Sequence, residues 1–147
     1  MTQLEQITQY MQTALASDNS GHSADHIDRV VALANKILIN EPMADPFIVR
    51  AAALLHDVYD DKLFNNASDV QLAKSHLKTF LSNISVSQDD ISRIFYIIDN
   101  MSWSKGIGGQ AQHLDINGQI VQDADRLEAV GAIAITRAIT YGAVKNR

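Results

Sequence analysis

Apolar residues return every three or four positions along almost the whole of this chain, and nowhere do they alternate over the length of a strand. That single pattern restricts the fold to packed helices, because a period of 3.6 puts such residues on one helical face and a period of 2 would be needed for a half-buried sheet. Leu4, Ile7, Met11 and Leu15 outline a first amphipathic helix ending near Ser17, and Asp18-Asn19-Ser20-Gly21 reads as a turn. A second helix is expected from about Ser23 to Ile39, with Ile27, Val30, Val31, Ala34, Ile37 and Leu38 inward. Both prolines fall in Asn40 to Pro46, a connection. Phe47 to Leu55 is apolar nearly all round apart from Arg50, the composition of a short central helix buried on every side.

Further along, Asp60 to Ala67 reads as a loop. Ser68 or Asp69 is positioned to cap a helix through Leu72, Ala73, Leu77 and Phe80. Ser87-Gln88-Asp89-Asp90 resembles a capping box opening a helix with Ile91, Ile94, Phe95 and Ile98 inward. Ser102 to Asn117, with Gly106, Gly108 and Gly109, is expected to be a mobile loop; these glycines follow no strand and so are no dinucleotide fingerprint. The last helix is expected from near Gln119 to about Tyr141. The architecture is therefore all-α, one compact domain over residues 1–147, which suits 147 residues. Ala129 to Val144 is strongly apolar with no later element to cover it, so a partner subunit or a C-terminal continuation is expected there.

At 46% hydrophobic and 20% charged, the chain has the make-up of a globular protein. Its net charge of −5 gives no footprint for duplex nucleic acid. Charged residues interrupt every apolar run before the ~18 residues of a membrane span, and Met1 to Gln6 lacks the basic and apolar regions of a secretory signal. With no cysteine, disulfide and thiolate chemistry is excluded, which fits a cytoplasmic protein.

Three polar islands break the apolar pattern: His22-Ser23-Ala24-Asp25-His26, His56-Asp57 directly behind Ala51 to Leu55, and Asp123-Ala124-Asp125-Arg126. Imidazoles and carboxylates at the ends of buried helices are costly unless paired. A divalent cation satisfies all three islands together, since two histidines and two aspartates suit Mn, Fe, Co, Ni or Zn. Taken singly, each island also reads as an ordinary polar helix end; their coexistence is what points to a metal. His22 and His26 share a helical face. Arg29, one turn beyond His26, is expected to face the same cavity, where a guanidinium holds phosphate oxygens in pairs. Lys62 and Lys105, on loops, are placed to supply further positive charge, although a solvated surface position is the commoner outcome for a lysine. His76 reads as a helix-face residue and His113 as loop. Trp103 suits either stacking on a base or anchoring its loop.

These words, Gly21-His22-x-x-x-His26-Ile27-x-Arg29-Val30, Leu54-Leu55-His56-Asp57-Val58 and Asp123 through Ala132, resemble the HD superfamily of metal-dependent phosphohydrolases from Asp18 to Tyr141. The flanking residues look like its small bacterial branch, which includes nucleoside triphosphate pyrophosphohydrolases. The resemblance implies one divalent metal, Mn2+ foremost, with Mg2+, Fe2+, Co2+, Ni2+ and Zn2+ also admitted. It also implies that His26, His56, Asp57 and Asp125 are the metal ligands, with Asp123 behind them. Asp60 stands where the superfamily often carries an acid that handles protons. His22, Arg29, Lys62 and Lys105 are then expected to meet a phosphorylated small molecule, foremost a nucleotide. The implied reaction is nucleoside triphosphate to monophosphate and pyrophosphate. Phosphomonoester or phosphodiester hydrolysis, or nucleotide binding without turnover, would use the same ligands. The apolar C-terminal helix is the expected surface for a homo-oligomer.

Overall fold

The computed structural model describes residues 1–16 and 24–145, and at residue 105 the backbone alone. Among these residues every regular element is helical. The order is α1 (Gln3–Ala14), α2 (Ala24–Leu38), α3 (Pro46–Leu55), a 3-10 turn (Asp61–Leu63), α4 (Ala67–Asn83), α5 (Gln88–Asn100), α6 (Trp103–Ile107), α7 (Ile116–Glu128) and α8 (Ala132–Val144).

The centre of the molecule is α3, and α1, α2, α5 and α7 pack around it. Its sequence explains the position. Ile48, Val49, Ala51, Ala52, Ala53, Leu54 and Leu55 are all buried, and only Pro46, with Phe47 and Arg50 in part, reaches water. The three alanines add little bulk, which lets neighbouring helices approach closely. Asp45 starts α3 by accepting hydrogen bonds from the Phe47 and Ile48 amides, with Pro46 in the first turn where its missing N–H costs nothing. The Asp45 amide in turn donates to Oδ1 of buried Asn117 at 2.7 Å, which ties the start of α3 to the start of α7.

The caps correct several expected boundaries. The side chain of Asn66, rather than Ser68 or Asp69, accepts the amide that opens α4. Ser87 opens α5 by accepting from the Asp90 amide. The first helix stops at Ala14, short of Ser17. The segment expected to be one loop from Ser102 to Asn117 contains α6, and α7 begins at Ile116 because the Asp115 side chain accepts the Gly118 amide. The single last helix expected from Gln119 to Tyr141 is two helices, bent by 83° at the break. Gly131 at φ +98° turns the backbone there, a conformation open to glycine and strained for other residues. Apolar spacing runs on across that break, so periodicity alone does not register it.

No single helix among the described residues is long and apolar enough to cross a membrane. None of the residues of α8 is buried, and Ile133, Ile135, Ile139 and Val144 stand largely in solvent. The expected turn at 18–21 and His22 lie outside the described residues.

Candidate metal centre

Three helices bring the polar islands to one point. α2 supplies His26 from its first turn, the C-terminal end of α3 supplies His56 and Asp57, and α7 supplies Asp125. The mutual packing of α2, α3 and α7 makes that convergence a consequence of the core itself. His26, His56 and Asp57 are buried, and their potential ligand atoms lie within 4.8 Å of one another.

Hydrogen bonds on the far side of each imidazole fix which nitrogen faces inward. His56 Nδ1 lies 2.8 Å from the Ala53 carbonyl oxygen, and His26 Nδ1 lies 2.9 Å from Oε2 of Glu128. A carbonyl and a carboxylate oxygen only accept, so each Nδ1 carries a hydrogen and each ring turns Nε2 inward, the atom that would bond a cation in place of a proton. The two Nε2 atoms are 3.3 Å apart. Asp125 Oδ1 stands 3.3 Å from His26 Nε2 and 3.6 Å from His56 Nε2. Asp57 oxygens stand 3.6 Å and 3.5 Å from the same two atoms.

These separations test the group the chemistry suggests. A cation bonded at about 2.1 Å holds adjacent donors about 3.0 Å apart in an octahedron and about 3.4 Å apart in a tetrahedron. Two imidazole lone pairs facing each other and two carboxylates repel unless a cation or protons lie between them. The residues present therefore fit a divalent metal of the N,O-binding kind. Electrostatics carries the same message. Burial pushes the His56 imidazole down, but the charges of Asp57 and Asp125 and the Ala53 carbonyl together raise it to about 9. Burial pushes the Asp125 carboxyl up, and the hydrogen bonds and charge of His26 and His56 outweigh it, holding the group well below the usual carboxylate range. The cluster strongly attracts positive charge.

The ligand cluster opens into a cavity of about 930 Å³ that also exposes Asp60, Lys62, Trp103 and Arg126. Asp60 caps the 3-10 turn, accepting the Lys62 amide at 2.9 Å. Burial, and to a smaller degree Asp57, raises its carboxyl above the ordinary value, while the Lys62 amide and ammonium pull the other way. Lys62 is exposed beside it. Lys105 belongs to α6 rather than to a loop.

Arg29 is a correction. It was expected to face this cavity, yet its Nε donates to Oε1 of Glu128 at 2.8 Å. It lines a separate, largely apolar cavity between α2 and the break after α7. One turn beyond His26 is close enough to share a helical face, but buried Glu128 is the nearer anion. Asp123 is exposed rather than behind the ligands. His76 and His113 are exposed, on α4 and on the segment before α7, as the sequence reading had them.

Several residues of the site carried no role in the sequence reading. Glu128 is buried, accepts from His26 and Arg29, and also pairs with Arg137 of α8. Its spacing of three from Asp125 puts it on the same face of α7, a signal the sequence did contain. Lys74 and Arg137 reach the cavity from α4 and α8, and nothing in their local sequence marks them. Lys74 Nζ lies 2.5 Å from Asp99 Oδ2, and Asp99 also accepts from the Tyr59 hydroxyl at 3.1 Å.

Helices, ligand cluster and sequence together define the class: the chain matches the HD domain family over residues 23–130 and belongs to it. Among its relatives is Bacillus subtilis YpgQ, 39% identical over 146 residues, which cover 99% of this chain and 69% of YpgQ. A crystal structure from Lactobacillus plantarum superposes with a TM-score of 0.88 at 42% identity, covering 100% of this chain and 66% of the other. YpgQ itself has been crystallised in complex with ADP; that structure superposes with a TM-score of 0.76 at 36% identity, over 99% of this chain and 68% of the other. A Bacillus thuringiensis structure described as an HD-superfamily hydrolase gives 0.67 at 32% identity, over 98% and 66%. The chain thus spans about two thirds of the length of these relatives.

Proposed function

We propose that this chain carries the catalytic centre of a metal-dependent phosphohydrolase that converts nucleoside triphosphates to monophosphates and pyrophosphate. One observation carries the reading. Two imidazoles with their outer N–H groups engaged aim Nε2 lone pairs at the same point as two carboxylates, at the end of an open cavity. In this reading His26, His56, Asp57 and Asp125 hold one divalent metal, foremost Mn2+. Such a cation supplies Lewis acidity toward a phosphoryl oxygen and toward the attacking water.

The rest of the work falls to the protein. The outer hydrogen bonds of His26 and His56 hold both rings with Nε2 inward, so loading would displace protons without turning a ring. Lys62, Lys74, Arg126 and Arg137 line the cavity beside its aspartates, and are the side chains there that can meet phosphate oxygens once a cation offsets the carboxylates. Asp60, three residues past the ligand pair and in the same cavity, takes the proton of the attacking water. The ADP complex of YpgQ supports a nucleotide, and the hydrolase description of the Bacillus thuringiensis structure supports hydrolysis.

The test is a panel of nucleoside tri-, di- and monophosphates incubated with Mn2+, with products separated by chromatography. Monophosphate and pyrophosphate are expected from triphosphates. Orthophosphate from a triphosphate would instead move the attack away from the α-phosphorus, and orthophosphate with nucleoside from a monophosphate would favour a phosphomonoesterase. Asp60→Asn is expected to lower kcat by about 10²–10⁴-fold while metal affinity stays near wild type. Full activity in that variant removes Asp60 from proton transfer.

A further inference from the structure

We propose that Trp103, backed by Arg126, is the base-stacking subsite of the cavity and takes the planar ring of a nucleoside phosphate whose phosphates lie toward the ligand cluster. The proposal rests on the phosphohydrolase reading for the substrate class and adds where its base is held.

Trp103 is the only tryptophan of the chain. As a loop anchor it would be buried, since a large aromatic ring gains most by leaving water. It is instead 64% exposed, on the five-residue α6, while lining the same cavity as His26, His56, Asp57 and Asp125. An indole held open to water on the wall of a cavity that also holds the ligand cluster presents the flat apolar surface that another flat ring covers best.

Arg126 fixes which surface is offered. Its guanidinium carbon stands 5.1 Å over the Trp103 ring, a cation–π arrangement. Stacked planes sit about 3.5 Å apart, so a base between the two would need about 7 Å, more than the gap provides. The base therefore takes the other face of the indole, with Arg126 behind it. Arg126 directly follows Asp125 on α7, and both line the cavity that Trp103 lines. A single ligand with an aromatic end and an anionic end can span both. Because every base has a π-face, such a subsite tolerates many bases and grips the larger purines more firmly than pyrimidines.

Having one tryptophan makes the experiment direct, since intrinsic indole fluorescence reports this residue alone. The full chain, with Mg2+ present, is titrated with α,β-methylene-ATP and separately with inorganic tripolyphosphate, which has the phosphates and no base. The nucleotide is expected to change the emission and tripolyphosphate is not. Trp103→Ala is expected to raise KM for ATP about 5- to 100-fold and to leave inhibition by tripolyphosphate unchanged, and Trp103→Tyr to restore most of the loss. An equal loss for both ligands, or an unchanged KM for ATP, overturns the proposal. The two readings fail separately. ATP hydrolysis with unaltered KM in Trp103→Ala overturns the stacking subsite alone. An emission change on nucleotide binding with no hydrolysis by the wild type upholds the subsite and overturns the phosphohydrolase reading.

Discussion

Glu128 shows how one buried carboxylate organises a metal centre without being a ligand. It accepts from His26 Nδ1 and from Arg29 Nε and pairs with Arg137, so one negative charge faces two guanidiniums and an imidazole. The charge makes His26 a better electron donor and fixes its ring plane. Glu128→Gln keeps the shape and an accepting oxygen but removes the charge. Mn2+ affinity measured by calorimetry is expected to fall about 10- to 100-fold. The melting temperature is expected to fall as well, since Arg29 and Arg137 lose their shared counterion. Unchanged affinity with a lower melting temperature would make Glu128 an ion-pair partner only.

At the scale of elements, the break between α7 and α8 separates a helix of the core from one outside it. α7 buries Ile120, Val121 and Ala124 against α2 and α3, whereas no residue of α8 is fully buried. Gly131 carries the change of direction at φ +98° and ψ −168°, a region essentially confined to glycine, and a Cβ there would meet no atom within 4 Å. Any cost of Gly131→Ala is therefore backbone strain, about 1–3 kcal/mol. Because α8 is anchored weakly, that strain is expected to appear as roughly tenfold or greater loss of amide protection in α8, with α3 unchanged, when hydrogen exchange is followed by mass spectrometry. Equal loss in both helices would show that α8 shares the stability of the core.

The whole molecule is a shell of helices around α3, and its stability is concentrated accordingly. Ile94 is fully buried on α5, which packs on α3, while Ile135 on α8 is 64% exposed. The same deletion should therefore have very different effects. Ile94→Ala is expected to cost about 2–5 kcal/mol through lost transfer energy and the cavity left behind. Ile135→Ala is expected to stay within about 0.5 kcal/mol. Urea denaturation of the two variants checks the contrast, and similar midpoints would mean that α8 is covered in solution.

Read from the sequence alone, the all-α class, the buried character of Phe47 to Leu55 and the three polar islands were legible, because each rests on neighbours a few positions apart. Helix periodicity, a polar pair abutting an apolar run and a proline-bearing connection are local properties. The resemblance carried by those words led to the HD family. What only tertiary structure decided lies between residues far apart in the chain. Arg29 turned to Glu128, 99 positions away, rather than to the cavity, because the nearest buried anion captured it. Lys74 and Arg137 entered the cavity by the packing of their helices, with no mark in their own segments. The last helix divided at Gly131 although its apolar spacing ran on, because side-chain periodicity does not encode a positive φ. Local sequence determines which residues must be buried and which helices must form; the partner each polar group finds is set by the three-dimensional competition among all the charges the fold brings together.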